Sequence, residues 1–94
     1  MATVIYPDGR SEEMKPKDGQ NGFTLAELSR AIGGGYIELV HPRFAPQGQP
    51  IMIVDEDGHH KQLEYNRIAS MLYDPTGNHT IVGTVMLCSN LEVQ

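Results

Sequence analysis

A single cysteine, Cys88, excludes an intramolecular disulfide and fits a reducing compartment. Tryptophan is absent, and four tyrosines with two phenylalanines are the whole aromatic complement, so the core must be mostly aliphatic. Basic residues are scarce. Seven Lys and Arg stand against twelve Asp and Glu, a formal net charge of -5. That balance argues against general nucleic-acid binding, which needs a basic surface to release counterions. The acidic residues are scattered, which also argues against a DNA mimic. No apolar run approaches the roughly 20 residues that cross a bilayer. Residues 1–10 lack the basic-then-apolar pattern of a signal peptide. The expectation is a soluble cytoplasmic protein with no membrane partner.

What is present reads as one globular domain over residues 1–94, with 39% apolar and 20% charged residues. A chain this short buries only about two-thirds of its unfolded surface, so its stability margin is thin.

Residues 2–6 read as a strand, and Pro7-Asp8-Gly9 as a turn. A short strand around residues 11–15 is an added option, and Asp18-Gly19 and Asn21-Gly22 are further turn signals. Thr24 and Glu27 have the spacing of a capping box, and Phe23 with Leu28 that of a hydrophobic staple. The helix they start is expected to run to Ile32, with Leu25, Leu28 and Ile32 on one face. Three glycines follow, Gly33-Gly34-Gly35. A phosphate cradle has the order strand, glycine loop, helix N-terminus. Here the glycines follow a helix and precede a strand, so Gly33 reads as a left-handed C-cap.

Further strands are expected over residues 36–41 and 51–55, and a long one over 80–88, with residues 59–65 ambiguous. Asn66 reads as the N-cap of a second helix burying Ile68, Ala69, Met71 and Leu72, and Asp74-Pro75 stops it. The dominant order is β-α-β-β-α-β. It predicts an α+β fold of ferredoxin-like order, a mostly antiparallel sheet with two short helices and room for extra short strands.

The strands look apolar on both faces. Ile37 and Leu39 alternate with Tyr36 and Val40, Ile51 and Ile53 with Met52 and Val54, and Ile81, Val85 and Leu87 with Val82, Met86 and Cys88. Two short helices on one face would leave the other bare. A two-fold homodimer is therefore expected, packed through that face.

No catalytic set emerges. His41, His59, His60 and His79 have no chelating spacing, and one cysteine cannot build a zinc site, so neither metal nor cofactor is expected. Asp55-Glu56-Asp57-Gly58 fails as a calcium loop because Ile53 stands where an acidic ligand is needed, and it reads as a turn. Ser29, Ser70 and Cys88 have no base beside them in sequence, and Cys88 reads as a buried small hydrophobe. The candidate ligand-binding residues are Tyr36, Arg43, Tyr65, Asn66 and Arg67. Arginine with aromatic groups suits a phosphate-bearing or nucleobase ligand. At the same positions, packing for Tyr65 and capping for Asn66 are the competing reading.

The stretches VIYPDG, LAELSRAIGGGYIELV, IMIVDEDG, YNRIASMLY and IVGTVML together resemble a small domain family of unknown function found in bacteriophages, plasmids and bacteria. Residues 10–22 and 42–49 lie outside the resemblance, and Gly33 is an extra glycine relative to it. The resemblance implies a phage or bacterial cytoplasmic setting and no catalytic residues. The resulting expectation is a small non-enzymatic binding protein, phage-encoded, that antagonises a host system by holding a host protein or a soluble nucleotide signal. The alternatives are a nucleotide-processing enzyme or accessory with Glu38 and His41 near its site, and a structural or regulatory homo-oligomer.

Removing the box hydroxyl tests the first helix start. Thr24→Ala should cost about 0.5–2 kcal/mol of stability, read from the denaturation midpoint at unchanged slope. An unmoved midpoint refutes the capping box.

Overall fold

The computed structural model describes residues 1–17 and 21–93, so the Asp18-Gly19 turn signal lies outside the described residues. The elements are β1 (Ala2–Ile5), β2 (Ser11–Met14), α1 (Leu25–Ala31), β3 (Ile37–Val40), β4 (Ile51–Asp55), α2 (Arg67–Tyr73) and β5 (Val85–Cys88). A 3-10 turn over Asn90–Glu92 follows. The strands form one sheet in the order β2-β1-β5-β4-β3, antiparallel at every step.

The α+β class and the antiparallel sheet agree with the sequence pattern, and β2 is the extra short strand near residues 11–15. The chain order β-α-β-β-α-β is kept with β2 inserted, but the strands are not arranged as in a ferredoxin-like sheet. Such a sheet would set β1 between β5 and β4, whereas β5 lies between β1 and β4. The reason is local. A strand has two edges, and β2 takes one edge of β1 through a tight hairpin. The Gly9 amide donates to the Tyr6 carbonyl at 3.0 Å, and the Tyr6 amide to the Arg10 carbonyl at 2.8 Å. Gly9 takes the positive φ (+94°) that this three-residue turn requires. Only one edge of β1 remains, and β5 occupies it.

Helix α1 starts as its sequence dictates. The Thr24 amide donates to Glu27 Oε1 at 2.8 Å, and the Glu27 amide to Thr24 Oγ1 at 3.2 Å. Phe23 and Leu28, the two ends of the staple, are each 1% exposed. Leu25 departs from expectation and faces outward; Phe23 fills the core in its stead, together with Leu28 and Ile32. At the other end, the Gly33 amide donates to the Arg30 carbonyl and the Gly34 amide to the Ser29 carbonyl. That pair of bonds is a Schellman motif with Gly33 at φ +97°. The triple glycine closes a helix.

Helix α2 uses a different face from the one expected. Ala69 and Ser70 are buried, while Ile68 and Met71 are exposed and Leu72 is half-buried. Hydrogen bonds select this face. Asn66 Oδ1 accepts from the Ala69 amide at 3.0 Å, and Asn66 Nδ2 donates to the carbonyls of Ile5 (3.1 Å) and Gly83 (2.9 Å). Ser70 Oγ donates to the Asn66 and Ile81 carbonyls and accepts from the Ile81 amide.

The helices lie on opposite faces of the sheet. Ala2, Val4, Ile51, Ile53, Met86 and Cys88 pack with Leu28 of α1 and with Ile32, the residue that caps its end. Ile5, Met52, Val54, Val85 and Leu87 pack with Ala69 of α2. Over β1, β5 and β4 both apolar faces are thus covered within one chain, so no whole face is left bare as the dimer argument expected; at β3 Tyr36 and Leu39 stay exposed. Cys88 is a buried hydrophobe, as expected, and burial pushes its thiol up to about 11, with Glu92 adding to the effect.

The expected strand over residues 80–88 is shortened to Val85–Cys88. Gly83 breaks it with φ +79°, where a Cβ would come within 2.8 Å of Leu63. Residues 59–62 form a turn and 63–64 are irregular instead of a returning strand, and Tyr65 makes a single bridge to Val82.

Asn66→Ala should strand two buried carbonyls and remove a cap, at a cost of about 3–5 kcal/mol. Asn66→Asp keeps the cap acceptor but not the donors, and should fare no better than Ala. Chemical denaturation of both variants checks this; a loss below about 1 kcal/mol in Asn66→Ala would rule out the tie.

Candidate functional site

The β3–β4 connection folds onto the end of α2. The Arg43 amide donates to the Tyr73 carbonyl at 3.2 Å and the Phe44 amide to the Leu72 carbonyl at 3.0 Å. These bonds satisfy carbonyls that a helix end leaves open, and they bring His41 and Arg43 beside Tyr73. After α2 the chain turns at once. Thr76 donates to Asp74 Oδ1 through its amide (3.1 Å) and its hydroxyl (2.6 Å), and the Gly77 amide donates to the Asp74 carbonyl. The turn returns His79 to Asp74, with Nδ1 at 2.7 Å from Oδ2.

Asp74 is 4% exposed. The Thr76 hydroxyl first, and then His79, hold its carboxyl down to about 2, so it is ionised at neutral pH. An ionised carboxylate only accepts, so His79 Nδ1 carries the hydrogen. The free nitrogen of His79 is Nε2. Tyr73 packs edge-on against the His79 ring at 6.3 Å between centroids.

Two recesses meet at Tyr73 and His79. The larger, about 370 Å³, has a floor of Val40, Val54 and Ile81 and a rim that includes Glu38, His59 and Thr80. The His59 ring is fixed by a 2.9 Å bond between Nε2 and the Thr80 carbonyl. The smaller, about 140 Å³, is lined by His41, Arg43, Tyr73, Asp74 and His79. An apolar floor, a polar rim and an arginine at one end suit a small ligand with a flat body and an anionic group. Among the described residues no cluster of metal-binding side chains exists, and no hydroxyl or thiol bonds to His79.

The residues singled out from sequence are dispersed. Arg43 lines the smaller recess. Tyr36 is 76% exposed and lines a separate groove beside Leu25. Tyr65 and Arg67 are exposed at the start of α2. Asn66 is 1% exposed and both its side-chain polar atoms are engaged inside the fold, which makes it a cap and a tie. Glu38 and His41 line different recesses. Asp74 and His79 were missed as a pair. Their signal is the Pro75-Thr76-Gly77 turn, which reverses the chain and lets a residue five positions on meet the helix-ending aspartate.

Fold and site together define a small single-sheet α+β domain with one helix on each face and a cleft at the end of α2. The chain belongs to the DUF3846 family, a domain of unknown function, whose profile matches residues 2–93. No curated protein and no solved structure matches the chain. No helix among the described residues is long and apolar enough to cross a membrane.

A carboxylate whose folded pKa lies below its ordinary 3.8 stabilises the fold above that value and loses its contribution as pH falls toward about 2. Wild-type stability should therefore drop more steeply than that of Asp74→Asn between pH 3.8 and about 2. Denaturation midpoints across that window check it, and parallel curves would exonerate Asp74.

Proposed function

We propose that the protein is a small non-enzymatic binding module for a nucleotide-like ligand. Its phosphate sits against Arg43 and His41 in the smaller recess, and its flat nucleoside part lies on the apolar floor of the larger cleft. Between them His79 Nε2, an acceptor, takes a hydrogen bond from a hydroxyl or amino group. The carrying observation is that the two recesses share Tyr73 and His79, with the buried Asp74 carboxylate fixing which nitrogen His79 offers. Glu38, at the far rim, would accept hydrogen bonds from sugar hydroxyls or a base amino group. The reading keeps the setting that the sequence resemblance implies. The chain is phage-encoded, acts in the cytoplasm of a bacterial host, and antagonises the host by sequestering a soluble nucleotide signal. Tyr36, Tyr65 and Arg67 fall outside this site and would serve the other form of the reading, contact with a host protein.

The Asp74–His79 contact supports one competing view, an acid-base enzyme, since a carboxylate-held imidazole is a common general base. Glu38 and His41 in separate recesses weigh against it, as does the lack of a nucleophile bonded to His79.

Calorimetric titration with nucleoside monophosphates, cyclic dinucleotides and the parent nucleosides separates these readings. Phosphate-bearing ligands should bind and nucleosides should not. Arg43→Ala should weaken binding at least about tenfold, and the ligand should be recovered unchanged. Absence of binding by every phosphate-bearing probe sinks the proposal, and chemical turnover hands it to the enzyme.

A further inference from the structure

Strand β3 ends the sheet, and its outer edge is open. The Glu56 amide donates to the Tyr36 carbonyl at 2.9 Å, and Ile37, Glu38, Leu39 and Val40 stand opposite Asp55, Val54, Ile53 and Met52. Antiparallel pairs alternate between bonded and non-bonded positions. Tyr36, Glu38 and Val40 therefore turn their backbone groups toward β4, and Ile37 and Leu39 turn theirs outward. Among the described residues no backbone hydrogen bond reaches the outer side of those two.

The opposite edge of the sheet is guarded. Strand β2 carries Glu12 and Glu13 and runs into Lys15 and Pro16, the residues that keep edges from pairing. Strand β3 carries one charge, Glu38. Beside it Tyr36 is 76% and Leu39 43% exposed, and an apolar groove of about 440 Å³ runs along Leu25, Tyr36 and Ile37.

We propose that β3 pairs antiparallel with β3 of a second copy, about a two-fold axis at Leu39. The strand complements itself in that register. Leu39 bonds to its own mate, and Ile37 reaches the partner's His41, just past the strand end, so both outward residues of β3 are used at once. On the other face Glu38 stands opposite the partner's Val40. A shift of the axis to Glu38 would set like charges directly opposite, which is unfavourable. A shift to Val40 would leave Ile37 unpaired and bring Pro42 opposite Glu38. A foreign strand has no such match written into β3. Because Glu38 and Val40 also line the larger cleft, pairing sets the two clefts side by side, each gaining the other copy's strand along its open side.

Light scattering on the eluting protein, with three kinds of variant, tests the pairing. The wild-type chain should elute at the mass of two chains at micromolar concentration. Leu39→Lys should elute at the mass of one, with an unchanged circular dichroism spectrum, and Glu13→Lys on the guarded edge should stay at two. Leu39→Cys should form an intermolecular disulfide on mild oxidation. Glu38→Cys should not, because its mate lies out of register by two positions, beyond the roughly 7 Å that a disulfide spans between Cα atoms. Cys88 is 0% exposed and does not compete. A wild-type mass of one chain, a dimer that survives Leu39→Lys, or equal cross-linking at positions 38 and 39 would each overturn the proposal.

Discussion

The side-chain amide of Asn66 ties three separate parts of the chain together at one buried point. Its oxygen starts α2, and its nitrogen holds the carbonyl that leaves β1 and the carbonyl that leads into β5. All three are buried, and a buried amide without partners is costly, so the three segments can meet only in one arrangement. The Asn66 amide and carbonyl add bonds to Ile81 and Ser70. The orientation of α2 on its sheet face follows from this knot more than from its apolar residues. Ile68 and Met71 stay outside because Asn66 and Ser70 claim the inner face.

Placing one helix on each face solves a problem of size. A short sheet with two apolar faces needs two covers, and the described residues supply two α-helices. Each helix of seven residues covers the middle of its face and little more. The loops complete the cover, and the candidate site is where they do so. The β3–β4 connection docks on the carbonyls at the end of α2, and the Asp74 turn folds back over the same end. Arg43, His41 and His79 gather there because a helix terminus has unsatisfied groups that attract loop backbone.

Much of the local structure was legible. Thr24 with Glu27, Phe23 with Leu28, the Gly33 cap and the Pro7-Asp8-Gly9 turn each depend on groups a few residues apart, and the backbone can meet those demands in few ways. Pairing was less legible. Every strand could bond along either edge, and nothing in the β1 sequence states that β2 would take one of them. Helix faces were misread at Leu25, Ile68 and Met71, where periodicity marks an apolar stripe but hydrogen bonds from Asn66 and Ser70, and the packing of Phe23, decide which part is buried. At the site Arg43 was legible as a cation beside aromatics, whereas Asp74 and His79 became a pair only through a turn whose reach is three-dimensional.

The central position of β5 has a kinetic side. Strands β1 and β2 form one local hairpin, and β3 with β4 form another, and the two are not neighbours in the sheet. Strand β5 joins them there: Thr3 stands opposite Leu87, and Leu87 opposite Met52. An isolated hairpin is at best marginal in water, so the two halves can flicker into shape early without being able to persist. Cooperative folding must wait until the last strand in the chain inserts between them, which closes the longest loop available and makes the search slow for so small a protein. Until that insertion the inner edges of both hairpins are exposed together, and a nascent chain is at its most adhesive in that interval.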